Sequence, residues 1–520
     1  MPEDNEKADE LDVERQELTN GDDDNAFIMK EELTYRPDVL PELQPRWRDA
    51  IPQVAASCVA HSIVIQAGVS MAYSAVLLPQ LEEPGSVPTA TKDQSSWIAS
   101  LVTIGTLVGS LVTGPLMDRL GRRTTCQLSC VPLVVAWIMV GLAQSVEVLY
   151  VGRLLAGMGG GLSTVALVYV SEVSYPNIRP MLLCLNSVFV SFGILLTCIL
   201  AQWFTWREMA IWFGVMAVAT FVALWLLPES PHWLATYKQK RREHMEDAVR
   251  WLNRNPQRYQ QELKSLMETV QQRSQNEKER SQWYKMRSKS VLAPSVVKPV
   301  LILLFIFLFQ QLSGGYVVIF YAVHVFQMVG GTFGAGFDEY DALVFLGLIR
   351  FVMSVITAVA SRKYGRRPLT ILSGLGMCIS TLIVGVYMHV KPIQYTGGFT
   401  NMRNSTEVMA PTEEEHWTCV VCVLLYVCFC SLGVLVIPWT LIGELLPIQI
   451  RGVGGGVMVG IAYALMFGVV KSFPFVLDVT GAQGIFFFFS LMSLSGVAFV
   501  YVFLPETLGK SLQEIEDYFK

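Results

Sequence analysis

The sequence predicts an all-α membrane protein: twelve transmembrane helices in two parallel six-helix repeats, with a cytosolic helical segment between them. Three observations carry that expectation. The composition is too apolar for a water-soluble chain, the apolar residues gather into twelve runs, and polar motifs recur in the same order in the two halves. Hydrophobic residues fill 52% of the 520 positions and charged residues 16%, against about 25% charged in an ordinary soluble domain. The mean hydropathy is +0.42. Long segments whose solvent is lipid account for the shortfall.

A membrane-spanning helix needs about 20 mostly apolar residues. Such runs fall at 54–79, 95–116, 125–145, 149–171, 182–203, 208–228, 297–327, 342–361, 369–389, 417–442, 453–475 and 483–504. The chain therefore divides into an acidic head over 1–50, a six-helix bundle over 51–228, a helical linker over 229–296, a second bundle over 297–504 and a tail over 505–520. Much of the acid behind the net charge of -5 sits in the head, which is too polar to bury an ordering core and reads as disordered. It lacks the basic n-region of a cleaved signal peptide, so the first run is expected to be a retained signal-anchor. In the linker, Met245, Val249 and Leu252, then Leu263, Leu266 and Val270, recur at helical spacing. That pattern suits short helices that brace the two halves, or a solvated linker.

Orientation follows from Lys and Arg in the short loops. Loops after even-numbered runs carry Arg119, Arg122 and Arg123, then Arg179, then Arg362, Lys363, Arg366 and Arg367, then Arg451. The opposite loops are nearly bare, with Lys92, Arg207, Lys391 and Arg403 as exceptions. Both termini and the linker are thus expected to be cytosolic. The segment 390–416 then lies outside, and it holds Asn404-Ser405-Thr406, a glycosylation acceptor sequence.

The repeat is visible in six motifs. Gly114-Pro115-Leu116-Met117-Asp118-Arg119-Leu120-Gly121-Arg122-Arg123 is matched by Ser361-Arg362-Lys363-Tyr364-Gly365-Arg366-Arg367. Glu172 to Arg179 is matched by Glu444 to Arg451, and PESPHWL after the sixth run by PETLGK after the twelfth. Parallel repeats of six are a known transporter architecture, with the solute site at the midplane between them. Tight glycine turns bring the basic loops near carboxylates at neighbouring helix ends. Asp118, Arg122, Glu172 and Arg179, and Arg366, Glu444 and Arg451, are therefore expected to form an ion-pair network at the cytosolic face. Pairs of that kind would hold the halves together when the site faces out and break when it faces in.

From about residue 50 to 515, these motifs resemble the sugar-porter family of the major facilitator superfamily. GRLLAGMGGG after Tyr150-Val151, Gln310-Gln311-Leu312-Ser313-Gly314, Pro438-Trp439 and PETLGKSL add to the likeness. SSWIASL and PWTLIGELLPIQIRG look most like the insect trehalose-transporter-like branch. The resemblance implies the major facilitator fold and facilitated diffusion or proton symport of hexoses, trehalose or polyols. By position it implies that Gln310 and Gln311 offer amides to sugar hydroxyls, which an amide suits because it donates and accepts together. It implies that Trp439 stacks on the sugar, that Pro438 loosens its helix, and that Phe320 and Tyr321 close an external gate.

Departures bear on the solute. Tyr316 stands where the family has Asn, Ser187 where it has Gln, Arg350 and Ala462 where it often has Asn. His232, Pro180 and Arg362 also replace family residues. Arg350 falls near mid-membrane, where a charge is costly and should face the cavity with a partner. It reads either as a structural Arg on helix-end carbonyls or as a ligand for an anionic or strongly hydrogen-bonding solute. The family's symporter carboxylate is absent from the first run, where Tyr73 stands, which speaks against proton coupling. His61 and His324 read as hydrogen-bonded helix residues. The ten cysteines lie mostly in apolar runs and read as packing, Cys419-x-x-Cys422 included.

The expectation is a plasma-membrane facilitator of a sugar or polyol. A same-fold carrier of another polar or anionic solute, or a non-transporting sensor, are the alternatives. No enzyme chemistry, cofactor, metal or nucleic-acid partner is expected, since no nucleophile–base pair, metal cluster or phosphate loop is present. The lipid bilayer and one small solute are the expected partners, and a monomer suffices for transport whatever the oligomeric state.

Overall fold

Polar capping turns start the second and eighth membrane helices about one turn earlier than hydropathy alone predicts. Thr91 and Gln94 cap each other's backbone N–H ahead of the second run, and Asp338 and Asp341 do the same ahead of the eighth. Such reciprocal caps satisfy donors that a helix start leaves open. The computed structural model describes residues 47–83, 85–175, 178–237, 242–268, 294–330, 338–391, 417–446, 451–508, 510, 514–515 and 518–519. The acidic head before Trp47, Val270, Asn404 and the side chains of Arg362 and Arg451 lie outside the described residues.

The first half holds α1 (Trp47–Glu82), α2 (Lys92–Leu120), α3 (Arg122–Gly141), α4 (Val146–Leu162), α5 (Val165–Val173), α6 (Arg179–Leu200) and α7 (Trp206–Ala223). Two short helices, α8 (Pro231–Tyr237) and α9 (Arg242–Leu252), and a third, α10, over 256–268 follow. Trp233, Leu234, Met245 and Ala248 join Leu263 and Met267 in a small apolar cluster of their own. The second half holds α11 (Pro294–Leu312), α12 (Gly315–Phe320), α13 (Ala322–Gly330), α14 (Glu339–Lys363), α15 (Arg366–Val390), α16 (Trp417–Leu432), α17 (Ile437–Leu445) and α18 (Arg451–Phe503). Ten helices among the described residues are long and apolar enough to cross a membrane. The 53-residue α18 is interrupted at Gly481, whose φ is 70°. The seventh run is interrupted at Ser313 and Gly314, and the tenth from Gly433 to Val436.

Close crossings are built on glycine. In α4 the run GMGGG lies against α2, and a side chain at Gly157 or Gly161 would overlap the carbonyl oxygen of Val102 or Thr106. Small residues let membrane helices approach this closely. Arg153, fully buried one turn before Gly157, donates from Nη2 to the Ser70 carbonyl at 2.8 Å and to the Ser74 hydroxyl, and from Nε to the Ile98 carbonyl at 3.3 Å. It thereby joins α1, α2 and α4.

The halves meet along two seams, α2 on α18 and α6 on α14. The repeat maps the second run onto the eighth and the fifth onto the eleventh, so it exchanges these two seams. Gly460, before the Gly481 break, lies against Leu107 and Leu111 of α2.

Candidate functional site

The interruptions in the helices decide what faces the space between the halves. A cavity of about 310 Å³ lies there, lined by α1, α4, α5 and α6 on one side and by α12, α14, α16, α17 and α18 on the other. At its core stand Asn186, Ser187, Tyr316, Arg350, Trp439 and Tyr463. Trp439 donates from its ring nitrogen to the Tyr316 hydroxyl at 3.1 Å and lies beside Tyr463, ring centres 5.4 Å apart. The cavity continues to Leu167, Gly443 and Gly455, within two turns of the helix ends on the face that carries the basic loops.

Of the expected solute ligands, Tyr316, Arg350, Trp439 and Ser187 are brought together here. Gln310 and Gln311 are not. Gln310 Nε2 donates to the Val434 carbonyl at 2.6 Å, a backbone group freed by the break between α16 and α17. Gln311 Nε2 donates to Gln310 Oε1 at 3.3 Å, and its own Oε1 is buried without a partner. Pro438 sits second in α17, where a missing N–H is harmless. Ala462 faces the core, and its neighbour Tyr463 takes the cavity position. Asn186, Ser191, Ser354 and Ser431 also line the cavity. A lone amide at Asn186 in an apolar run was the available signal.

Toward the face opposite the basic loops the space is closed. Phe320 and Tyr321 are fully buried, and Tyr321 donates to the Val470 carbonyl at 3.1 Å and packs on Phe473. Polar ties cross between the halves there. Lys92 pairs with Asp478, Lys471 Nζ reaches Asp93 at 2.7 Å and the Ser96 hydroxyl at 2.6 Å, and His324 Nε2 lies 3.2 Å from Glu82. Lys471 also sits over the Trp97 ring at 4.3 Å. Reversing one charge should expose this tie. Lys471→Asp is expected to slow uptake about threefold to fivefold, the scale of an exposed ion pair, and adding Asp93→Lys in the same chain should restore the rate.

The ion pairs of the basic face correct one expectation. Among the described residues they do not bridge the halves: each joins helices of one half and stays formed while the cavity extends toward that face. Arg122 binds Glu172 through Nε at 3.0 Å and Nη2 at 2.9 Å, and reaches the Met117 carbonyl and Asp118. Arg366 binds Glu444 through Nε at 3.1 Å and Nη2 at 2.8 Å, and reaches the Ser361 carbonyl. The repeat extends to their neighbours. Ser230 and Thr507 each donate a hydroxyl to that glutamate. Glu229 accepts from the backbone N–H of Arg122 and Arg123, and Glu506 from that of Arg366 and Arg367. The physical reason is the turn. Gly121 and Gly365, with φ of 101° and 82°, adopt a backbone that side chains disfavour and fold each basic loop back onto its own bundle. Burial pushes the Glu506 carboxyl up, but four backbone N–H bonds outweigh it and hold the group below its usual range. Arg179 donates to the Ser174 carbonyl at 3.0 Å and makes no bond to Glu172.

Residues 56–519 match the family model described as "Sugar (and other) transporter". The facilitated trehalose transporter Tret1 of Bombyx mori is 31% identical over 427 residues, covering 82% of this chain and 79% of that protein. The protein of the same name from Drosophila mojavensis is 31% identical over 484 residues, 93% of this chain, although the chain spans only 52% of that longer relative. Among solved structures, the MFS (major facilitator superfamily) proton:xylose symporter XylE bound to 6-bromo-6-deoxy-D-glucose superposes with a TM-score of 0.68 at 19% identity, covering 91% of this chain and 100% of that one. With the repeat, the seams and a match over nearly its whole helical length, this multi-pass membrane chain belongs to the sugar (and other) transporter family.

Proposed function

We propose that the chain moves a sugar or polyol across the plasma membrane by facilitated diffusion, with both termini and the linker in the cytosol. The observation that carries the reading is the cavity between the halves, furnished from both sides with hydroxyl, amide and aromatic groups. Such groups match a polyhydroxylated solute, since hydroxyls and amides exchange hydrogen bonds with it and indole faces cover its C–H surface. Twelve spans fit the same picture, with α18 counted twice across Gly481 and α11 to α13 counted as one broken span. The basic face is then cytosolic, and this conformation faces inward. The trehalose transport named for the relatives supports the solute class.

Uptake of labelled glucose, trehalose and a polyol into proteoliposomes, with and without a pH gradient, tests it. Saturable uptake that equilibrates and ignores the gradient is expected for at least one member of the panel. No uptake by correctly folded protein, or accumulation driven by the gradient, would overturn facilitated diffusion. Trp439→Ala is expected to raise the KM for the carried solute about tenfold, equivalent to ~1.4 kcal/mol of lost contact, which the concentration dependence of uptake measures.

A further inference from the structure

We propose that the cavity selects a sugar carrying one carboxylate, an aldonate or uronate, and that Arg350 is the residue that reads that group. This rests on the transport reading above and narrows its solute class. Arg350 lies 11 residues into the 25-residue α14, about 16 Å along the helix from Glu339. Its side chain lines the cavity, yet the residue is only 6% exposed. Nε and Nη1 are buried with no hydrogen-bond partner among the described residues. A guanidinium stays cationic in proteins, and a charge at mid-membrane is costly unless it is paired.

Among the described residues the surroundings hold no compensating charge. No Asp or Glu lines the cavity among the described residues, and the ionisable groups that bear on Arg350 are Tyr316, Cys430 and Cys198. This buried cation is therefore an orphan in a chain whose other buried arginines have partners: Arg153 holds two carbonyls and a hydroxyl, and Arg122 holds a glutamate. A structural role on helix-end carbonyls is not what Arg350 performs here. One cation matches one negative charge, and the two free N–H directions of a planar fork suit a carboxylate. The remaining polar lining suits the rest of a sugar acid. Asn186 and Ser187 stand on the α6 side, and Ser431 on α16 has a buried hydroxyl with no partner. Trp439 and Tyr463 offer faces for the ring.

The experiment uses the full chain purified in detergent and in proteoliposomes. Quenching of tryptophan fluorescence by D-glucuronate, D-glucose and chloride at equal ionic strength reports binding, and uptake of labelled glucuronate and glucose reports transport. Glucuronate is expected to bind and be carried with a half-saturating concentration at least tenfold below that of glucose. Arg350→Gln should erase that preference, and Arg350→Lys should recover it only in part because an ammonium lacks the fork. Preference for neutral sugar over glucuronate, with Arg350→Gln without effect on the ratio, overturns the inference and leaves the transport reading standing. An Arg350-dependent quench by chloride as strong as that by glucuronate also overturns it. Uptake of neither sugar by monodisperse protein overturns the transport reading and the inference with it. Should Arg350→Gln fail to fold, Ser431→Ala in the same cavity is expected to weaken both sugars equally, and the wild-type ratio of glucuronate to glucose still decides.

Discussion

Replacing Gly157 by leucine is expected to cut the yield of monodisperse protein to below about a tenth of wild type. The cause is steric and local. At this position of α4 even a Cβ would lie on top of the Val102 carbonyl oxygen, and Cα of Gly105 would be 3.0 Å away. These are backbone atoms of α2, so no rotamer change relieves the overlap and the helices must part. Parting them also loosens Gly109 against Met158 and Gly161 against Thr106, and it pulls Arg153 from its carbonyls on α1 and α2. Core insertions alone cost about 1–3 kcal/mol, and leaving a buried arginine short of partners adds to that. The matched control is Gly160→Ala, whose Cβ would meet Ala67 at 3.7 Å, an ordinary contact. It should purify like wild type. Size-exclusion profiles of the two variants settle the point, and a normal profile for Gly157→Leu would mean that the crossing is looser than described.

Arg122→Ala is expected to lower stability by about 3–5 kcal/mol, the cost of stripping one partner from a largely buried pair. Side chains of Arg122 and Glu172 are only 10% and 18% exposed. Removing the guanidinium leaves Glu172 with the Ser230 hydroxyl and the Met117 carbonyl with only the Gly121 N–H. Arg122→Lys should recover little, because a single ammonium cannot replace a fork that serves two carboxylate oxygens and a carbonyl at once. Arg179→Ala, which loses one bond to Ser174, should be nearly silent. Thermal unfolding of the three variants in one detergent gives the comparison. Equal melting points for Arg122→Ala and Arg179→Ala would show that the Arg122 network carries no weight.

The parts of this architecture that depend on repeating patterns were legible in the amino-acid order. The apolar runs place the helices within one to two turns, and the six paired motifs announce the two halves. Position along a helix could be counted as well, so Arg350 is expected, and found, near the middle of α14. Direction was harder. Whether Gln310 points into the cavity depends on a break 124 residues away, where Val434 loses its helical partner and takes the amide. The linkage of the basic face within each half, and the ties of Lys92 and Lys471 across the opposite face, join residues far apart in sequence. Nothing in local spacing encodes such pairs.

The polar ties of the two faces differ in how firmly water holds them apart. At the closed face, Asp93 and Asp478 side chains are 63% and 41% exposed, so each tie contributes on the order of 0–1 kcal/mol and weakens as counter-ions crowd in. The pairs inside each bundle are far drier. The two lysine ties are thus the easy ones to rehydrate when that face opens, whereas His324–Glu82 beside them, with side chains 3% and 11% exposed, is as dry as the pairs that keep each bundle rigid. The barrier to opening that face should accordingly fall as ionic strength rises, while the melting point of either bundle stays almost unmoved.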